Sequence, residues 1–149
     1  MLPLVLASIV AQLPLRAPGG PLPAAEASRS LSNVKQIGLA MLLYSADHKD
    51  TFPKAKKYKA AIMPYVRNKA VFTAPGAPLG TLSYFMEPRL SGMKITSIAN
   101  PAETALIVQG SRGKAAFPYR GRTAMGYVDG HAKLTTLKAA VKARTLALK

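Results

Sequence analysis

From Leu31 to Tyr44, apolar residues return every three or four positions: Leu31, Val34, Ile37, Met41 and Tyr44, with Leu42 widening the stripe. That spacing is the signature of a helix with one apolar face. Such a helix cannot stand alone in water and must lay its stripe on another element. Ser28 or Ser30 is the expected N-cap, since a serine hydroxyl accepts an unpaired backbone N–H of the first turn. The polar run from Asp47 to Pro53 (DHKDTFP) is expected to end the helix, because Pro53 disfavours helical backbone at Phe52.

The partner surface is expected from short strand-like runs downstream. These cover residues 81–86, 94–98, 104–109, 125–128 and 131–134, with Asn100-Pro101 as a turn. The last two runs flank Asp129-Gly130, which predicts a hairpin with a type I′ turn. A shorter helix is expected over residues 58–66, limited by Pro64, and the segment 74–80 (APGAPLG) reads as loop. Helical spacing returns from Leu134, with Leu134, Leu137 and Val141 on a stripe expected to pack on the core. Lys138, Lys142 and Arg144 fall off that stripe. One long helix followed by antiparallel strands makes an α+β domain with a short basic C-terminal helix.

The chain has 149 residues, which suits one such domain with appended segments. Residues 1–15 carry no charge and read as an apolar leader of the secretory type, although a basic start is missing. Pro3 and Pro14 interrupt the leader, and it is shorter than the roughly 20 residues that span a bilayer. Residues 16–27, opening with RAPGGPLP, read as a linker. The domain is expected over 28–134 and a basic amphipathic tail over 135–149. An exported chain is expected to work outside the cytoplasm, in the envelope or secreted. Cysteine is absent, which excludes disulfides, thiol catalysis and cysteine-based metal sites. Twenty-one Lys and Arg against six Asp and Glu leave a net charge of +15, which favours polyanionic partners without naming one.

Five segments then read together in order. They are Ser32 to Ala40 (SNVKQIGLA, with Asn33, Gln36 and Gly38), Tyr44 with Asp47 and Phe52-Pro53, Pro64 to Lys69 (PYVRNK), Asn100 to Thr104 (NPAET, with Pro101 and Glu103), and Tyr127 to His131 (YVDGH). In this order they resemble the prepilin-type processing-associated proteins named for a His, nine residues and then Asp-Gly. The resemblance spans about residues 28–134. It implies a pilin-like fold, export, and assembly with type IV pilus or type II secretion machinery through protein partners or self-association. The chain also departs from that pattern. No prepilin cleavage site or long apolar anchor helix is present, Tyr119 stands where the naming histidine would be, and Ala74-Pro75 stands where the family often has Cys-Pro. The domain therefore reads as a soluble, cysteine-free relative.

Little in the sequence supports catalysis, a cofactor or a metal site. Asp129 and His131 could act as ligands or as an acid–base pair, but Asp-Gly is also what a tight turn demands. Asp47, His48 and Asp50 are too few for a calcium shell and read as a solvated helix exit. Gly110-Ser111-Arg112-Gly113 lacks the Gly-Lys-Ser/Thr ending of a phosphate-cradling loop. Two histidines and six acids leave little material for general acid–base work, and no enzyme is expected. Two basic runs remain as candidate polyanion contacts, with DNA the leading ligand: Lys54, Lys56, Lys57 and Lys59 around Tyr58, and Arg112, Lys114, Arg120 and Arg122 around Tyr119. A merely solvated basic surface is the competing reading, and both stay open. Peripheral membrane contact through the leader or the basic tail is a further candidate.

Overall fold

A computed structural model describes residues 24–146; the leader, most of the linker and the last three residues of the tail lie outside that range. Helix α1 (Ala24–Asp47) carries the expected stripe. Val34, Ile37 and Met41 are fully buried, worth roughly 1.5–3 kcal/mol each in transfer from water. Leu31, Leu42 and Tyr44 are only half-buried. Small residues fill the rest of the inner face, namely Ala27, Ser30, Gly38, Ala40 and Ser45.

The helix begins before either serine expected to cap it. Ala24 to Ala27, read above as the end of the linker, already belong to α1. Ser30 lies inside the helix, and its buried hydroxyl bonds to the phenols of Tyr84 (2.9 Å) and Tyr119 rather than to its own backbone. At the other end the Asp50 and His48 N–H groups both donate to Ser45 C=O, at 2.8 and 3.0 Å. Lys49 (φ 55°) and Asp50 (φ 57°) take the left-handed backbone that this closure needs, without a glycine.

Five antiparallel strands form one sheet: β1 (Tyr84–Met86), β2 (Ala105–Ser111), β3 (Lys114–Ala115), β4 (Arg122–Tyr127) and β5 (Ala132–Thr136). The order is β1-β2-β4-β5, and β3 hairpins onto the end of β2. The run 94–98 is not a strand. Its centre, Ile95–Ser97, is a 3₁₀ turn, and only Lys94 makes a single bridge, to Thr51. Its half-buried Ile95 and Ile98 pack against the core from this loop, so burial is met without a ladder.

The Asp129-Gly130 hairpin forms, but not with the expected turn. Gly130 has φ 92°, whereas Asp129 is not among the described residues of positive φ. Gly130 N–H donates to Tyr127 C=O at 3.0 Å, and Tyr127 N–H donates to His131 C=O at 2.9 Å. This is a three-residue loop closed by a left-handed glycine. Turns with both central residues left-handed occur elsewhere, at Arg112-Gly113 (φ 51° and 76°) and Arg120-Gly121 (φ 52° and 75°).

Helix α1 covers one face of the sheet, and α3 (Leu137–Thr145) covers part of the other. Contact between α1 and the sheet is close at Gly126 on β4, where a Cβ would sit 2.6 Å from Ile107 Cγ2 and 2.9 Å from Val34 Cγ1. The stripe expected on α3 is turned outward: Leu137 is 60 % and Val141 57 % exposed, while Ala140 and Ala143 are buried. Leu134 belongs to β5 and packs on the α1 side. Two anchors set the phase of α3. Thr136 Oγ1 accepts from Ala139 N–H, and Arg144 Nε donates to buried Glu87 at 2.6 Å. Among the described residues no helix is long and apolar enough to cross a membrane.

Candidate functional site

Three lysines of the first basic run and Arg112 of the second, more than fifty residues apart in sequence, meet at one groove of about 790 Å³. The first run forms one wall, because a 3₁₀ turn (Ala55–Lys57) leads into α2 (Tyr58–Ile62) and places Lys56, Lys57 and Lys59 along it. The opposite wall is the tip of the β2–β3 hairpin, where Arg112 and Gly113 sit. Between them lies the free edge of β1, with Leu82, Tyr84, Met86 and Pro88 in the lining. Leu82 is 41 % exposed there, a large apolar side chain left open to the groove.

The floor follows from strand geometry. Gly110 N–H donates to Ser83 C=O, and Glu87 N–H donates to Leu106 C=O. Alternation along an antiparallel pair then turns the N–H and C=O of Tyr84 and Met86 away from β2, toward the groove side. The Tyr84 carbonyl is already taken by the Tyr58 hydroxyl, at 2.6 Å.

The groove's titratable groups are cations and phenols. Burial pushes the Tyr58 phenol well above its ordinary range, with Tyr84 adding to the effect. Tyr84 is also raised by burial, and the hydrogen bonds from Ser30 and Asn33 offset this only in part. Both phenols are therefore neutral hydrogen-bonding groups at physiological pH. The groove supplies positive charge, backbone N–H groups and apolar surface. Part of the charge is already engaged, since Lys59 Nζ lies 5.3 Å from the centre of the Phe72 ring.

Not every residue of the two runs joins the groove. Lys54 lies over Gly92 instead. Lys114, Arg120 and Arg122 are exposed but do not line it. Strand register puts Arg122, the Arg120-Gly121 turn and the Arg112-Gly113 hairpin at the same end of the sheet. That end is broadly basic, and the groove opens beside it.

The segments of the family-like pattern are brought together as structural contacts. Val128 N–H donates to Thr104 C=O and Asp129 N–H to Pro101 C=O, so the turn carrying Pro101 and Glu103 clasps the Asp129-Gly130 loop. Gly130 lies under α1, where a Cβ would meet Leu42 Cδ1 at 3.3 Å. At the end of α1, Asp47 accepts from the Tyr65 hydroxyl at 2.7 Å, and Tyr44 stacks on His48 with ring centres 3.7 Å apart. Phe52 and Pro53 are buried, bonded through their backbone to Met93 and Gly92. Asn33 Nδ2 donates to Thr73 C=O and to the Tyr84 phenol. Gln36 bonds only to Ser32 on the exposed face, and Gly38 has open space around it. Glu103 makes an exposed pair with Lys142 at 3.8 Å.

His131 stacks on Tyr127, with centres 4.3 Å apart and planes 4° from parallel, and its ring bonds to Asp129. Burial pushes the Asp129 carboxyl up, but bonds from the His131 N–H and ring, and the charge of that ring, hold it below the usual range. Asp129 and His131 thus brace a turn. Among the described residues no three His, Asp or Glu side chains gather where they could hold a metal. Nothing in the residue pattern marks the floor of the groove, because Leu82, Tyr84 and Met86 acquire their role only when α2 and the β2–β3 hairpin rise on either side.

No family model, curated protein or solved structure matches this chain.

Proposed function

We propose that this chain is a non-enzymatic pilin- or pseudopilin-type assembly domain of a cell-envelope secretion system or surface filament, working outside the cytoplasm. The observation that carries the reading is the disposition of α1. Its inner face is buried on the antiparallel sheet, while its outer face leaves Leu39 and Leu43 45 % and 55 % exposed, one helical turn apart. A helix of 24 residues with a second, open apolar edge is suited to packing on a neighbouring subunit. The resemblance of the five segments supports the same reading.

Because the chain has no cysteine, Leu43→Cys introduces a unique thiol. Cells carrying this variant would be treated with a thiol-specific cross-linker, then separated into sheared surface material, envelope and cytosol. Cross-linked species in the sheared or envelope fractions are expected. Monomer confined to the cytosol would overturn the proposal.

A second reading is favoured by the gathering of Arg112, Arg120 and Arg122 at one end of the sheet, which would take DNA or another polyanion. Affinity for duplex DNA should then fall steeply as salt rises. Negligible affinity at low salt removes this reading.

A further inference from the structure

We propose that the groove between α2 and the β2–β3 hairpin binds a free single-chain amphiphilic anion, an acyl or alkyl chain ending in a carboxylate or phosphate. The inference rests on neither reading above and concerns a small ligand rather than a polymer or a subunit. The groove is of the size that holds small organic ligands, about 790 Å³. Its lining runs along β1 from Leu82, just before the strand, to Met86 and Pro88. The surface along that length is aliphatic and aromatic, with Leu82 open to it and Met86 beneath.

Charge is confined to the walls, with Lys56, Lys57 and Lys59 on one side and Arg112 on the other. This separation selects the ligand. A polyanion carries charge at every unit and would press some of it onto the apolar floor, where an unpaired charge is costly. An amphiphile carries one charge at one end and leaves the floor to its chain. An added peptide strand is also poorly served. It needs donors and acceptors alternating along the edge, and the Tyr58 hydroxyl already occupies the Tyr84 carbonyl.

The test is calorimetric titration of the full chain with dodecyl phosphate below its micelle concentration. Dodecanol, inorganic phosphate, oligothymidylate and an oligoglutamate peptide serve as comparisons. Dodecyl phosphate should bind one per chain, with the dodecanol and phosphate parts each weaker by at least about tenfold, since each makes only half of the contacts. Leu82→Glu should weaken binding by a similar factor, with Leu82→Gln as the milder variant if the first lowers the melting temperature. Arg112→Asn should do the same, because asparagine tolerates the left-handed turn position. Arg67→Asn, an equal loss of charge away from the groove, should leave binding unchanged. Binding that ignores Leu82 and Arg112, equal binding of inorganic phosphate, or full displacement by oligothymidylate or oligoglutamate at matched charge would each overturn the proposal.

Discussion

Arg144, on the last turn of α3, donates from Nε to Oε2 of Glu87 at 2.6 Å, across 57 residues of chain. Glu87 is 1 % exposed, and this guanidinium is its closest compensating charge, with Arg89 Nε 4.0 Å from the other oxygen. The same guanidinium donates to Gly113 C=O at 2.9 Å and lies over the Phe85 ring. Arg144 therefore ties the C-terminal helix to β1 and to the hairpin that forms one wall of the groove. Arg144→Leu should cost about 3 kcal/mol or more, because it strands a buried carboxylate. The pair Glu87→Met with Arg144→Leu should recover most of that loss. Denaturant melts of the parent, the single and the double variant test it, and an Arg144→Leu chain within about 0.5 kcal/mol of the parent would refute the anchoring role.

Two glycines should respond in opposite ways to alanine. Gly126→Ala would place a methyl against Ile107 and Val34 at sub-contact distance, and overpacking of this kind typically costs about 1–3 kcal/mol. Gly38 sits within α1 with nothing within 4 Å of a Cβ. Gly38→Ala should stabilise by about 0.5–1 kcal/mol through lower backbone entropy of the unfolded chain. Melting curves that move in the same direction for both variants would contradict the packing described.

The Asp129-Gly130 loop supplies a conformational test. Gly130 has φ 92° and faces Leu42, so Gly130→Val meets both backbone strain and contact. A loss of about 2 kcal/mol is expected, with Gly130→Asn losing less because asparagine enters the left-handed region more readily. Equal melting temperatures for the two variants would argue against this turn.

The same loop gives a pH dependence. The folded carboxyl of Asp129 lies below its ordinary value, so its contribution is present above that value and lost as pH falls through the folded one. The stability gap between the parent and Asp129→Asn should shrink as pH falls below about 4. A gap that stays constant through the acid range would exclude the brace between Asp129 and His131.

The hydroxyls of Ser30, Tyr84 and Tyr119 form a buried chain linking α1 to β1 and to the loop before β4. Ser30→Ala should cost about 1–3 kcal/mol by leaving two buried phenols short of a partner. Ser83→Ala, which removes a buried hydroxyl that has no partner, should be close to neutral. The order of the two losses, read from the same denaturant melts, checks the network.

What the sequence determined by itself was local. The three-and-four spacing from Leu31 to Tyr44 specified α1, because helical phase is written into neighbouring residues. Asp129-Gly130 specified a hairpin, since a left-handed glycine closes it whichever turn results. The alternation of helix and strand-like runs gave the α+β class. Whatever depends on the facing surface was decided only in three dimensions. Ser30 reads as a cap until phenols 54 and 89 residues away claim its hydroxyl. Leu137 and Val141 read as core until Arg144, pulled to Glu87, rotates α3 and turns Ala140 and Ala143 inward. Lys56, Lys57 and Lys59 are far from Arg112 in sequence, and they come to face it across one groove because the β1 edge lies between them. Periodicity fixes which side of an element is apolar, but the direction that side faces is set by contacts between distant residues.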